Sequence, residues 1–155
     1  MDILFLQVGG TIDKGYPQGK TNHGYEFQIG EPGFLSVLGR AKVGHICLYA
    51  TVLRKDSLDM TDEDRGVVRK YVDGSSEEKV VLTHGTDTIH KTAAVLSSIK
   101  GKTIVLTGAM LPEKFRDSDA DFNIGMAIGA AQCLPHGVYI VLYGEVKKWD
   151  EFQPR

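Results

Sequence analysis

Apolar and polar positions along this chain come in alternating blocks, and the blocks change period as they change type. Ile3 to Val8 is an apolar run, the mark of a central strand buried on both faces. Gly9-Gly10-Thr11 ends it, and a polar segment from Asp13 to Gly30 follows, with no sustained period. Its glycines (Gly15, Gly19, Gly24 and Gly30, with Gly33 just beyond) predict a lid or binding loop. Pro32 to Ala41 predicts a short helix with Phe34, Leu35 and Leu38 on one side, and His45 to Leu53 a second strand. Thr61 with Asp64 three residues on resembles a capping box that opens the next helix. That helix is expected to turn Val67, Val68, Tyr71 and Val72 inward and to stop at Gly74. Lys79 to Thr83 is a third strand, followed by a helix with Ile89, Ala93, Leu96 and Ile99 at helical spacing. Thr103 to Thr107 is a fourth strand, and a helix from about Ser118 to Cys133 is expected to bury Phe122, Met126, Ala130 and Cys133. Val138 to Tyr143 makes a fifth strand, and the remainder to Arg155 reads as irregular.

Strands separated by helices predict an α/β fold: a doubly wound parallel sheet of about five strands in three layers. The flavodoxin-like order 2-1-3-4-5 suits that number and places a switch point between the first and third strands. Loops following those strands, with Thr11 and Thr86, would flank one crevice, with Ser57 beside the first. The third strand carries the densest chemistry. After Val80-Val81-Leu82 the chain turns polar at Thr83-His84-Gly85-Thr86-Asp87-Thr88, bringing three hydroxyls, a carboxylate and an imidazole to the sheet's carboxyl edge. One of Thr86, Asp87 and Thr88 is expected to cap the following helix. A cap uses one such residue, so the remainder points to a site.

Composition removes several classes of function. At 155 residues the chain is expected to be one domain. Its 42% hydrophobic and 25% charged residues suit a soluble globular protein. A net charge of −2 offers no field for nucleic acid or for an anionic membrane surface, so neither is an expected partner. Cys47 and Cys133 have no metal-type spacing and read as small buried hydrophobes of a reducing compartment. With no leader-like start and no apolar run of about 18 residues, the expectation is a cytoplasmic protein. His84 and His90 are six apart, with no HExxH or paired cysteines, so no metal site is expected. Gly15 to Lys20-Thr21 misses phosphate-loop spacing, and both the GxSxG elbow and the dinucleotide fingerprint are missing. No cofactor is therefore expected. Threonine chemistry remains: a hydroxyl nucleophile acting on an acyl group, with glycine-turn amides holding the oxyanion.

Gly9-Gly10-Thr11-Ile12, Lys55 to Met60, Thr83 to Thr88, Thr107-Gly108-Ala109-Met110 and Ser118-Asp119-Ala120 with Phe122-Asn123 occur in an order that resembles the bacterial-type L-asparaginase family. The resemblance covers the family's N-terminal domain, and implies a stand-alone asparaginase domain over 1-155 without the usual smaller C-terminal one. It implies Thr11 as nucleophile, polarised by Tyr25 (or Tyr16 of the same loop), with Thr86 as second threonine. Asp87 would bind the α-amino group of an amino-acid amide and Ser57 its α-carboxylate, with Gly10, Leu58, Gly85 and Ala109 lining the substrate site. Two positions depart from the pattern. Leu58 stands where well-studied members have a glutamine, and Pro154 or its neighbour Arg155 where they have a lysine that activates the second threonine. Lys147 and Lys148 are the nearby alternatives. The resemblance thus implies either an amidohydrolase releasing ammonia through a threonyl acyl-enzyme or a binding protein that keeps the crevice without turnover. Because members complete their sites across subunits, it also implies a homodimer or higher homo-oligomer.

Overall fold

A computed structural model describes residues 1–17 and 26–155. Strand β1 (Asp2–Gly9) is followed by a 3-10 turn (Thr11–Asp13) and by β2 (Lys14–Gly15), which pairs antiparallel with β3 (Gln28–Ile29). Then come α1 (Gly33–Ala41), β4 (Ile46–Lys55), a 3-10 turn (Ser57–Asp59) and α2 (Asp62–Gly74). The chain continues with β5 (Lys79–Thr83), α3 (Ile89–Leu96), β6 (Thr103–Thr107), α4 (Ala120–Cys133), β7 (Gly137–Leu142) and β8 (Glu145–Lys148).

The main sheet has six strands in the order β4-β1-β5-β6-β7-β8. Its first five are parallel and keep the expected order 2-1-3-4-5; the sixth pairs antiparallel with β7. Strand β8 lies in the stretch read as irregular. The two-residue connection Tyr143-Gly144 has positive φ at both positions (58° and 71°), the backbone of a type I′ hairpin turn. A tyrosine there gives no turn signal, and Glu-Val-Lys-Lys has too few apolar positions to read as a strand.

Side chains alternate across the sheet and build a core on each face. On one, Leu4, Leu6, Leu82, Ile104 and Ile140 meet Val68 and Val72 of α2 and Ile89, Ala93 and Leu96 of α3. On the other, Ile3, Phe5, Val81, Val105 and Val141 meet Phe34 and Val37 of α1 and Ile124, Ala127 and Ala131 of α4. Two helix faces differ from expectation. In α2, Val67 and Tyr71 are exposed and Arg65 is buried with Val68 and Val72. Helix α4 is apolar nearly all round, and it turns its small residues inward so that it can lie close to the sheet. Phe122 is left 60% exposed, and Cys133 lies on the surface rather than in the core; Cys47 is half-buried. The capping box is present: Asp64 N–H donates to Thr61 Oγ1 at 3.2 Å, and Thr61 N–H to Asp64 Oδ2 at 2.9 Å. Among the described residues no helix is long and apolar enough to cross a membrane.

Candidate functional site

The parallel strands β4, β1, β5 and β6 end on the same side of the sheet, and glycines bring the loops after them into contact. Gly10 has φ 96°, and a Cβ placed there would lie 2.5 Å from Gly85 Cα and closer still to Gly85 N. A Cβ on Gly85 would lie 2.7 Å from Ser57 Cβ, and one on Gly108 would strike the His84 carbonyl oxygen. Gly9, at φ 130°, lies as tightly against Lys55, and Gly10 N–H donates to the Lys55 carbonyl at 3.1 Å. Four loops therefore meet at one place, three through backbone and the fourth through the Ser57 side chain, at the sheet edge where the switch-point argument puts a site. Thr11 and Thr86, the residues directly after Gly10 and Gly85, are half-buried beside this seam; Asp87 and Leu58 are exposed at it, Leu58 by 71%. Ser57 is buried, and Ala109 is buried one residue past Gly108. Tyr25 lies outside the described residues. Tyr16, the other loop tyrosine, is packed edge-on against Phe27 at 4.9 Å, and Phe27 against Phe115. A hollow of about 530 Å³ lies to one side, lined by Ser36, Arg40 and Glu113 among others.

A buried polar network holds the seam from below. Arg65 Nη2 donates to Thr88 Oγ1 at 2.8 Å, and Thr88 Oγ1 donates to the Ser57 carbonyl, also at 2.8 Å. Thr88 N–H donates to Ser57 Oγ at 3.3 Å. Among the described residues no side chain caps α3: the hydroxyl of Thr88, its N-cap residue, is drawn away to hold the Ser57 turn, which corrects the expected cap. Arg65 Nε donates to Thr92 Oγ1, and the Thr92 hydroxyl meets His84 Nε2 at 2.7 Å. His84 Nδ1 faces the Gly85 carbonyl at 2.7 Å, an acceptor only, so Nδ1 carries the proton and Nε2 accepts from Thr92. Burial pushes the His84 imidazole down to about 4, and the Arg65 charge nearby pushes the same way. His84 is thus a neutral strut that fixes the carbonyl of Gly85.

A second network ties the start of the long loop to the sheet. Gln7 Nε2 donates to Asp13 Oδ2 at 3.0 Å and to the Gly30 carbonyl at 2.7 Å. Its Oε1 accepts from Thr51 Oγ1 and Arg54 Nε, and Asp13 Oδ1 accepts from Gly33 N–H at 2.7 Å. Burial pushes the Asp13 carboxyl up to about 7, although the Gly33 amide, the Gln7 side chain and the Arg54 charge all pull it down.

Sequence reasoning missed Arg65, Thr92 and the Gln7–Asp13 pair. Arg65 had a signal: it precedes Val68 by three residues and Val72 by seven, a charged residue on an inward stripe. Lys147 and Lys148 do not approach the seam. Strand β8 runs back down the sheet and sets them opposite Ile140 and Tyr139, away from the carboxyl ends. Arg155 lies over the Tyr143 ring, 4.3 Å from its centroid. Among the described residues, no three His, Cys, Asp or Glu side chains gather as metal ligands would.

Residues 2–149 match the family model described as asparaginase, N-terminal. The L-asparaginase of Thermococcus kodakarensis is 32% identical over 152 residues, which are 94% of this chain and 45% of that protein. L-asparaginase 2 of Escherichia coli is 28% identical over 84% of this chain and 38% of its own length. A component of the glutamyl-tRNA(Gln) amidotransferase of Methanococcus vannielii is 45% identical over 71 residues, 44% of this chain and 17% of that one. Among solved structures, the thermostable L-asparaginase from Thermococcus kodakarensis superposes with a TM-score of 0.81 at 26% identity, over 96% of this chain and 46% of that one. The chain thus spans about half the length of the asparaginases it matches.

Proposed function

Because this chain belongs to the asparaginase family, matching its N-terminal domain, we propose that it is an amidohydrolase that cleaves a side-chain amide of the L-asparagine type. The contact of Gly10 with Gly85 carries this reading, because it sets Thr11 and Thr86 at one seam although they are far apart in sequence. In the proposed reaction the Thr11 hydroxyl attacks the amide carbon, and backbone N–H groups of the glycine turns receive the oxyanion. The C–N bond breaks, the nitrogen leaves as ammonia with the hydroxyl proton, and water hydrolyses the ester to the acid and free Thr11. Thr86 and Asp87 orient the substrate from the facing loop.

Ammonia release from L-asparagine and L-glutamine tests the reading. Wild type is expected to release ammonia, and Thr11→Ala and Thr86→Ala are each expected to fall to background while remaining folded. A wild type silent at high substrate concentration overturns it. The second reading, a binding protein without turnover, is favoured by the paths of Lys147, Lys148 and Arg155, none of which presents an amine at the seam. Silence combined with calorimetric binding of L-aspartate would establish that alternative.

We further infer a homo-oligomer. Strand β4 is a sheet edge ten residues long, with Ile46 63%, Leu48 42% and Tyr49 60% exposed, and Tyr71 of α2 exposed as well. A bare apolar edge of that length invites a partner strand. A partner there would stand close to the turn with Ser57 and Leu58, which directly follows β4. Light scattering is expected to return a dimer or larger; a single 17.0 kDa species would refute the assembly.

A further inference from the structure

Arg65 is a buried cation whose partners are all neutral. It is 5% exposed, and its guanidinium donates to the Met60 carbonyl, Thr88 Oγ1 and Thr92 Oγ1. Among the described residues no carboxylate forms an ion pair with it, and the adjacent Asp64 is taken by Lys55 at 2.9 Å. The imidazole in the same network is neutral and supplies no counter-charge. A charge taken out of water without a counter-ion is costly, and a hydrophobic residue of similar volume would fill the space more cheaply. The place of this cation gives it a use. It is one hydrogen bond from Thr88, and Thr88 holds Ser57 through both its N–H and its hydroxyl. Ser57 in turn lies against Gly85 at the seam. The Ser57 hydroxyl accepts from Thr88 and donates to no acceptor among the described residues, so its proton is available to a ligand.

We propose that Arg65 is a specificity-determining positioning residue, which makes this seam select ligands that carry a carboxylate at the Ser57 end. The inference rests on the amino-acid amide reading above and adds the source of charge selection. An anion seated there has the Ser57 hydroxyl as its direct donor and the guanidinium behind it, in a region of low dielectric where Coulomb attraction persists over several ångströms. Leu58, at the rim, brings no donor of its own. Arg65 does not touch the ligand: it acts through Thr88 and Ser57, and by its field.

Calorimetry on the full chain, with two probes that differ only in charge, tests this: L-asparagine and its α-carboxamide analogue. Wild type is expected to bind L-asparagine at least about tenfold more tightly than the carboxamide. Arg65→Met, which keeps the volume, is expected to lose that preference by weakening L-asparagine alone, and Arg65→Lys to restore most of it. A merely structural role would weaken both probes alike. Equal affinities in wild type overturn the proposal without any variant, as does an Arg65→Met protein that keeps the preference. Should Arg65→Met fail to fold, Arg65→Gln, which retains two donors without the charge, decides by the same comparison. If wild type binds neither L-asparagine nor L-aspartate, the amidohydrolase reading falls together with this one. Preference without ammonia release removes turnover and leaves the assignment of Arg65 standing.

Discussion

Gly10→Ala is expected to destabilise the protein by about 2–6 kcal/mol, a large share of the roughly 5–15 kcal/mol that holds a domain folded. Two costs add. An L-residue at φ 96° is strained by about 1–3 kcal/mol. The new methyl would also lie 2.5 Å from Gly85 Cα, and the group it meets is backbone in a loop that the Ser57 and Thr107 regions already hold, since His84 N–H donates to the Thr107 carbonyl at 2.9 Å. Overpacking that cannot relax through a side chain costs about 1–3 kcal/mol more. Gly125→Ala is the control: it lies within α4 with nothing within 4 Å of its added methyl, and is expected to be neutral or to stabilise by about 0.5–1 kcal/mol. Urea midpoints of the two variants give the comparison. A Gly10→Ala protein as stable as wild type would mean that the loops after β1 and β5 do not touch, and the shared seam would be lost with them.

The second large effect concerns pH. Asp13 titrates at about 7 in the folded chain against 3.8 when free, and His84 at about 4 against 6.5. Between about pH 4 and 6.5 the folded state therefore holds one more proton than the unfolded state at Asp13, and one fewer at His84. Stability falls with rising pH through the first and rises through the second, each by about 1.4 kcal/mol per pH unit. The two nearly cancel, so these groups leave wild-type stability almost flat across the window. Asp13→Asn removes the Asp13 contribution and exposes that of His84. The variant is expected to gain about 3 kcal/mol between pH 4 and 6.5, read as urea midpoints at fixed pH. The Asn amide would face the Gln7 amide, donor against donor, which lowers the variant at every pH alike; the slope is the readout, not the level. A variant slope no different from that of wild type would show that Asp13 is ionised in the folded protein at these pH values.

The parallel strands, their order and the meeting of the Thr11 and Thr86 loops are legible in the sequence because apolar blocks and punctuating glycines are local signals. What hides from it is pairwise. Phe122 looks like a core residue by size, yet α4 approaches the sheet through alanines, and closeness rather than bulk decides which face turns inward. Thr88 looks like a cap, but its hydroxyl finds a better-placed partner in a turn 31 residues back. Gln7 reads as a lone polar interruption of β1, and its meaning depends on Asp13, Gly30, Thr51 and Arg54 all converging on it. Strand β8 is hidden because its turn uses a tyrosine at positive φ, held by a register that no local propensity announces.

That last strand governs how the molecule can grow. The two ends of the sheet are unlike: β4 ends it in isoleucine, leucine and tyrosine, whereas β8 ends it in four residues of which three are charged. Lysine and glutamate on an edge strand repel a stacking neighbour. Chains joined edge to edge through β4, head against head about a twofold axis, would use up the apolar end of both. Such a contact would close at two chains, and the charged end would hinder growth into a fibre.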